Sequence, residues 1–199
     1  MKIVILFPTQ TEASLFQRED VLCLVSGVGL TATAYATLKA IHQHQPDLLI
    51  LAGIAGAFPH SQLQIGDVSI VATELEADLG FFTTDGFVHL AKLPIEMDFE
   101  RRHTLSCPDA DSRLPFRLVR SISLNAAMAP FIDSTGFDIE NMEGAAFFHV
   151  CRQEKQAFLE LRAISNLVQI GNDQWDMPTS IAAMTQGLHQ LINYLQTRT

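Results

Sequence analysis

A chain of 199 residues, 48% apolar and 18% charged, carries enough apolar surface for a full-sized globular core, which excludes disorder. Its formal net charge is −9 and its few Lys and Arg are scattered, so nucleic acid is excluded as a partner and a small, mostly neutral ligand is allowed. Cys23, Cys107 and Cys151 show no metal-ligand spacing; Cys23 and Cys151 sit in apolar runs, which reads as buried thiols in a reducing compartment. The apolar run Ile3 to Phe7 is too short for a signal peptide, and no later run reaches membrane-spanning length. The expectation is a cytoplasmic protein with no membrane partner and one domain over residues 1–199.

In chain order, Lys2 to Phe7 predicts a strand buried on both faces, and Thr11 to Gln17 a helix with Thr9 or Thr11 as its cap. Val21 to Ser26 predicts a second strand, ending in Gly27-Val28-Gly29. Thr31 to His44 is helical and stops before Pro46. Leu48 to Ala52 predicts a third strand, running into a turn at Gly53-Ile54-Ala55-Gly56. Asp67 to Leu75 and Phe116 to Ser123 read as strands, with loop or hairpin structure over Asp78 to Asp111 between them. Asn141 to Lys155 predicts a helix and Phe158 to Ser165 a strand. Thr179 to Thr197 predicts a closing helix with its apolar stripe at Ile181, Met184, Leu188, Leu191, Ile192 and Leu195. This alternation argues for an α/β fold with a mixed, largely parallel central sheet flanked by helices. Ligands of such sheets sit beyond the carboxyl ends of the strands, so those positions carry the candidate chemistry.

After the first strand stands Glu12, either a helix-start carboxylate or a base that activates water. The turns ending in Gly29 and spanning Gly53, Ala55 and Gly56 suit close approach of backbone to a ligand, or are simply tight turns. Neither completes a dinucleotide fingerprint or a Walker loop. No Arg lies between Arg18 and Arg101, which counts against a phosphate-using enzyme. Glu143, between Met142 and small residues, can accept from a sugar diol. Ser165-Asn166 ends a strand with two short polar groups, and Trp175, the one Trp, either walls a pocket or covers the core. Arg162 reads as a structural partner for a carboxylate.

Taken in order, these motifs resemble the nucleoside phosphorylase/nucleosidase superfamily in its hydrolytic branch. They are Glu12 after Met1-Lys2-Ile3-Val4, Ser26-Gly27-Val28-Gly29, Gly53-Ile54-Ala55-Gly56, Ala77-Asp78-Leu79-Gly80, Met142-Glu143-Gly144-Ala145-Ala146 and Arg162-Ala163-Ile164-Ser165-Asn166 with Trp175. The resemblance runs from Met1 to about Leu195. It implies that Glu12 deprotonates the attacking water, that Met142 and Glu143 hold the ribose, that Ser165 and Asn166 contact the purine, and that Trp175 closes the site. It also implies a homodimer; the apolar segment around Phe81, Phe82 and Phe87 is a subunit interface or a local core. No cofactor and no metal are expected.

Adenine-specific members of the branch carry Asp after the Ser, where this chain has Asn166. A 6-oxopurine presents an acceptor at O6, which an amide can meet as donor and a carboxylate cannot. Asn166 therefore favours hypoxanthine over adenine, and Ser-Asn with the later Trp looks most like the futalosine hydrolases of menaquinone biosynthesis. The alternatives are a methylthioadenosine/S-adenosylhomocysteine nucleosidase, a 6-oxopurine nucleoside phosphorylase and a non-catalytic nucleoside binder. Asn172 departs from the futalosine pattern, which has a basic residue before the Asp; Asp173 itself is a second acid–base candidate or a turn residue.

Overall fold

The computed structural model describes residues 1–93, 96, 98–169, 171 and 174–197; Asn172 and Asp173 lie outside the described residues. β1 (Ile3–Phe7) is five consecutive buried residues, as suits a strand covered on both faces. One turn of helix, α1 (Gln10–Ala13), follows, with Thr9 as its cap. It is shorter than the predicted segment because the chain turns back at Ser14, bringing the Phe16 ring to 6.0 Å from Phe7 and 4.9 Å from His189. β2 (Leu22–Val25) pairs in parallel with β1 and lies at the sheet edge. Leu22 and Val25 are therefore exposed, and Cys23 is half-buried where full burial was expected; Cys107 and Cys151 are the buried thiols. α2 (Leu30–His44) starts after Gly29, whose φ of +92° L side chains rarely adopt.

β3 (Leu48–Ala57) corrects the sequence reading. Gly53-Ile54-Ala55-Gly56 is no turn; the strand runs straight through it. The reason lies in its partner, β10 (Phe158–Leu167), which pairs in parallel from Leu49–Phe158 to Ala57–Leu167 and carries the backbone bonds across the glycines. A Cβ on Gly53 would collide with the Arg162 guanidinium, so glycine serves close approach here and not chain reversal. On its other side β3 changes neighbour. Leu48 to Leu51 register with β1, whereas Gly56 and Ala57 pair antiparallel with β9 (Ile139–Asn141).

The remaining strands complete a ring. β4 (Val68–Glu76) runs antiparallel to β10 and parallel to β8 (Arg117–Ser123), and β8 runs parallel to β9. The sheet is thus mixed, closed through β3, β10, β4, β8 and β9, with β1 and β2 as an extension. β5 (Gly80–Thr83) and β6 (Gly86–His89) form a separate hairpin, and β7 (Leu105–Ser106) adds to β4.

α3 (Gly144–Gln153) begins three residues later than predicted, because Asn141 finishes β9 and its Oδ1 accepts from the first free N–H groups, Glu143 at 2.8 Å and Gly144 at 2.7 Å. α3 supplies Phe147 and Phe148, whose rings pack on Phe158 at 5.5 and 4.8 Å. α4 (Met177–Gln196) is capped by Asp176, which accepts from Thr179 N–H at 3.0 Å. It buries Ile181, Met184, Leu188, Leu191 and Ile192 of the predicted stripe, while Leu195 near its end is partly buried against the same core. Among the described residues no helix is long and apolar enough to cross a membrane.

Candidate active site

Where β3 exchanges β1 for β9, the sheet parts and leaves a cavity of about 160 Å³ that opens to solvent. Each flanking strand delivers one group. Glu12 comes from the turn after β1, Met142 and Glu143 from the end of β9, Ser165 and Asn166 from β10, and Trp175 from the segment before α4; all line the cavity. Ala55 and Gly56 line it too, from within β3 and not from a loop. Gly53 lies behind them, under Arg162 and Glu12. Gly29 acts at one remove, its N–H donating to Glu143 Oε1 at 3.2 Å. Trp175 is 47% exposed, so it is a wall and not a core cover. Asp78 stands apart and accepts from Asn125 N–H at 2.7 Å.

Ser165 and Asn166 both reach the cavity because β10 bulges. Ile164 registers with Ala55 and Asn166 with Gly56, so Ser165 is the extra residue. Its hydroxyl lies 2.9 Å from Asn166 Oδ1 and donates to it, which orients the amide.

Glu12 is 4% exposed. Its Oε2 accepts from the Thr9 hydroxyl at 2.6 Å and its Oε1 from Ile54 N–H at 3.1 Å. Burial pushes its carboxyl above the ordinary value; Thr9, Ile54 and Arg162 partly offset that, and Glu143 adds to it. A carboxylate raised in this way is a stronger base than a free Glu, as water activation requires.

Behind the cavity lies a network that sequence reading found only in part. Arg162 is fully buried and donates to Glu160 Oε1 at 2.7 Å, Ile54 O at 3.0 Å, Glu143 Oε2 at 3.1 Å and Asn141 Oδ1 at 3.1 Å. It is the structural partner the sequence suggested. Burial opposes its charge, but Glu160 and Glu143 outweigh that and raise its pKa. Asn141 Nδ2 donates to Glu74 Oε1 at 2.6 Å, and Ser123 Oγ to Glu74 Oε2 at 2.8 Å. Glu74 and Glu160 both converge on Gly144, where a Cβ would strike them. One guanidinium thus faces several buried carboxylates. Two charges two residues apart in a buried strand, as at Glu160 and Arg162, are the signal that could have found it.

The charge excess has a measurable consequence. Burial and Glu160 push Glu74 from 4.5 up to about 8, partly offset by Ser121, Ser123 and Arg162. A folded pKa above the unfolded one means that the folded state holds the extra proton, so stability falls as pH rises from about 4.5 through about 8. The melting temperature is expected to fall between pH 6.5 and pH 9, and to fall less in Glu74→Gln. Equal losses in both proteins would remove Glu74 as the cause.

The sequence model of the phosphorylase superfamily matches residues 9–196. The chain belongs to this superfamily. The futalosine hydrolase of Thermus thermophilus is 26% identical to it over 217 aligned positions, covering 95% of this chain and 94% of that one. In fold, the 5′-methylthioadenosine nucleosidase of Arabidopsis thaliana superposes with a TM-score of 0.80 at 20% identity, covering 100% of this chain and 97% of the other. The futalosine hydrolase of Helicobacter pylori superposes with a TM-score of 0.78 at 15% identity, with 98% of each chain covered. The mixed sheet flanked by helices is thus the superfamily fold.

Proposed function

We propose that this superfamily member hydrolyses the N-glycosidic bond of a purine nucleoside, and that its substrate is futalosine, cut to hypoxanthine and dehypoxanthine futalosine in menaquinone biosynthesis. The observation that carries the reading is the convergence of Glu12, Glu143 and Ser165-Asn166 on one cavity. Glu12, raised by burial, takes a proton from water as it attacks C1′ of an oxocarbenium-like sugar. Glu143, held at one oxygen by Gly29 and at the other by Arg162, has lone pairs left for the ribose hydroxyls, beside Met142. Asn166 donates to the base and supports the departing hypoxanthine, while Trp175 covers it. Hydrolysis is favoured over phosphorolysis because Glu12, Glu140 and Glu143 line the cavity, and an anionic wall repels phosphate.

The Thermus relative supports futalosine as substrate, as does Asn166, whose amide suits O6 of a 6-oxopurine. Further parts of the reading are a single domain over residues 1–199, a cytoplasmic location and a homodimer. The rings of Phe82, Phe87 and Phe131 cluster at 5.1 to 5.5 Å, and Phe82 is 65% exposed, as suits a surface that a second copy covers.

The test is to incubate the protein with futalosine, methylthioadenosine and inosine, with and without phosphate, and to measure the released base. Hypoxanthine from futalosine without phosphate is expected. Adenine from methylthioadenosine as the main product, or strict dependence on phosphate, overturns the reading.

A further inference from the structure

Glu140 lines the cavity together with Glu12 and Glu143. It is the middle residue of β9 and 6% exposed. Among the described residues the one hydrogen bond to its side chain comes from Met128 N–H, to Oε1 at 2.8 Å. Its place in the sheet is specific. Gly56 registers with Glu140 on one side and with Asn166 on the other. The carboxylate and the amide therefore flank one backbone position, two strand spacings or about 10 Å apart at Cα. Gly56 puts no side chain between them, and a Cβ there would meet Val168 at 2.7 Å and Asn166 Nδ2 at 3.2 Å. A flat base standing over Gly56 meets the amide with one edge and the carboxylate with the next.

We propose that Glu140 is a second specificity-determining residue, accepting a hydrogen bond from N1–H of a 6-oxopurine while Asn166 donates to its O6 or N7. This rests on the nucleosidase reading and deepens it. Hypoxanthine has a donor at N1 and an acceptor at position 6; adenine has the reverse at both. A carboxylate facing the bare N1 lone pair of adenine sets acceptor against acceptor at two buried side chains, so both residues reject the same wrong base. Burial, which pushes the Glu140 carboxyl above its ordinary value, favours a ligand that brings a donor to it.

Calorimetric titration of hypoxanthine, adenine and 1-methylhypoxanthine tests the assignment. Wild type should bind hypoxanthine about tenfold or more tighter than 1-methylhypoxanthine, which lacks the N1 proton, and than adenine. In Glu140→Gln the amide oxygen still accepts from Met128, and its NH2 group faces N1. The ratio of hypoxanthine to adenine affinity should then fall about tenfold or more. Equal binding of hypoxanthine and 1-methylhypoxanthine by wild type overturns the proposal without using a variant. So does a base preference unchanged in Glu140→Gln, which would leave Glu140 as an anchor for Met128 alone. Should wild type bind no purine base, the nucleosidase reading falls first and this inference with it.

Discussion

Glu12→Gln is expected to lower turnover by about two to four powers of ten while ligand binding survives. The amide keeps an oxygen for Ile54 N–H, and the Thr9 hydroxyl can turn to accept from the new NH2 group, so the local fold persists. What disappears is the lone pair that takes the proton from water. The pH profile adds a second check. The base works ionised, and burial raises its pKa, so wild-type activity should climb with pH through a value above the ordinary 4.5. The residual activity of the variant should lack that limb. Product release from futalosine and calorimetry with hypoxanthine measure the two halves. Activity close to wild type would reduce Glu12 to a helix-start residue.

Arg162→Leu is expected to unsettle the whole molecule. It removes the one cation among Glu160, Glu143 and Asn141 and leaves carboxylates buried without their partner. Breaking a buried pair from one side costs about 3–5 kcal/mol, a large share of the roughly 5–15 kcal/mol that holds a domain folded. For a chain of this size that is a drop in melting temperature on the order of 10 °C. Adding Glu160→Gln to Arg162→Leu should recover part of the loss, because it withdraws one of the stranded charges. Lys should not substitute well, since one ammonium cannot span four acceptors that a planar fork reaches together. A thermal melt within a degree of wild type would mean that the network does not hold the fold.

Much of the fold was readable because its strands are apolar runs. β1 and the first half of β3 are unbroken apolar runs that need no partner to be recognised, and α4 shows its stripe at helical spacing. β9 was invisible for the opposite reason. Ile139-Glu140-Asn141 is three residues with two polar side chains, and its burial comes from the strands that enclose it. Gly53 and Gly56 misled because glycine more often marks a turn, whereas here its lack of a side chain makes room for Arg162 and Asn166. The site followed the same division. Glu12, Glu143 and Asn166 stand near strand ends and could be suspected from position alone. Glu140 could not, because its role follows from the pairing of distant strands.

That pairing makes β3 a ruler. Gly53 lies at the end where Glu12 and Arg162 meet, and Gly56 at the end where Asn166 and Glu140 meet. Three residue steps of strand separate them, about 10 Å, which is on the order of a ribose with its base attached. With the roles proposed for Glu12 and Asn166, the distance between the cutting end and the reading end is written in backbone. Trimming the walls changes how tightly a ligand sits, but a longer or shorter glycoside would need a residue added to or removed from the strand. Such a change would turn every later side chain to the opposite face.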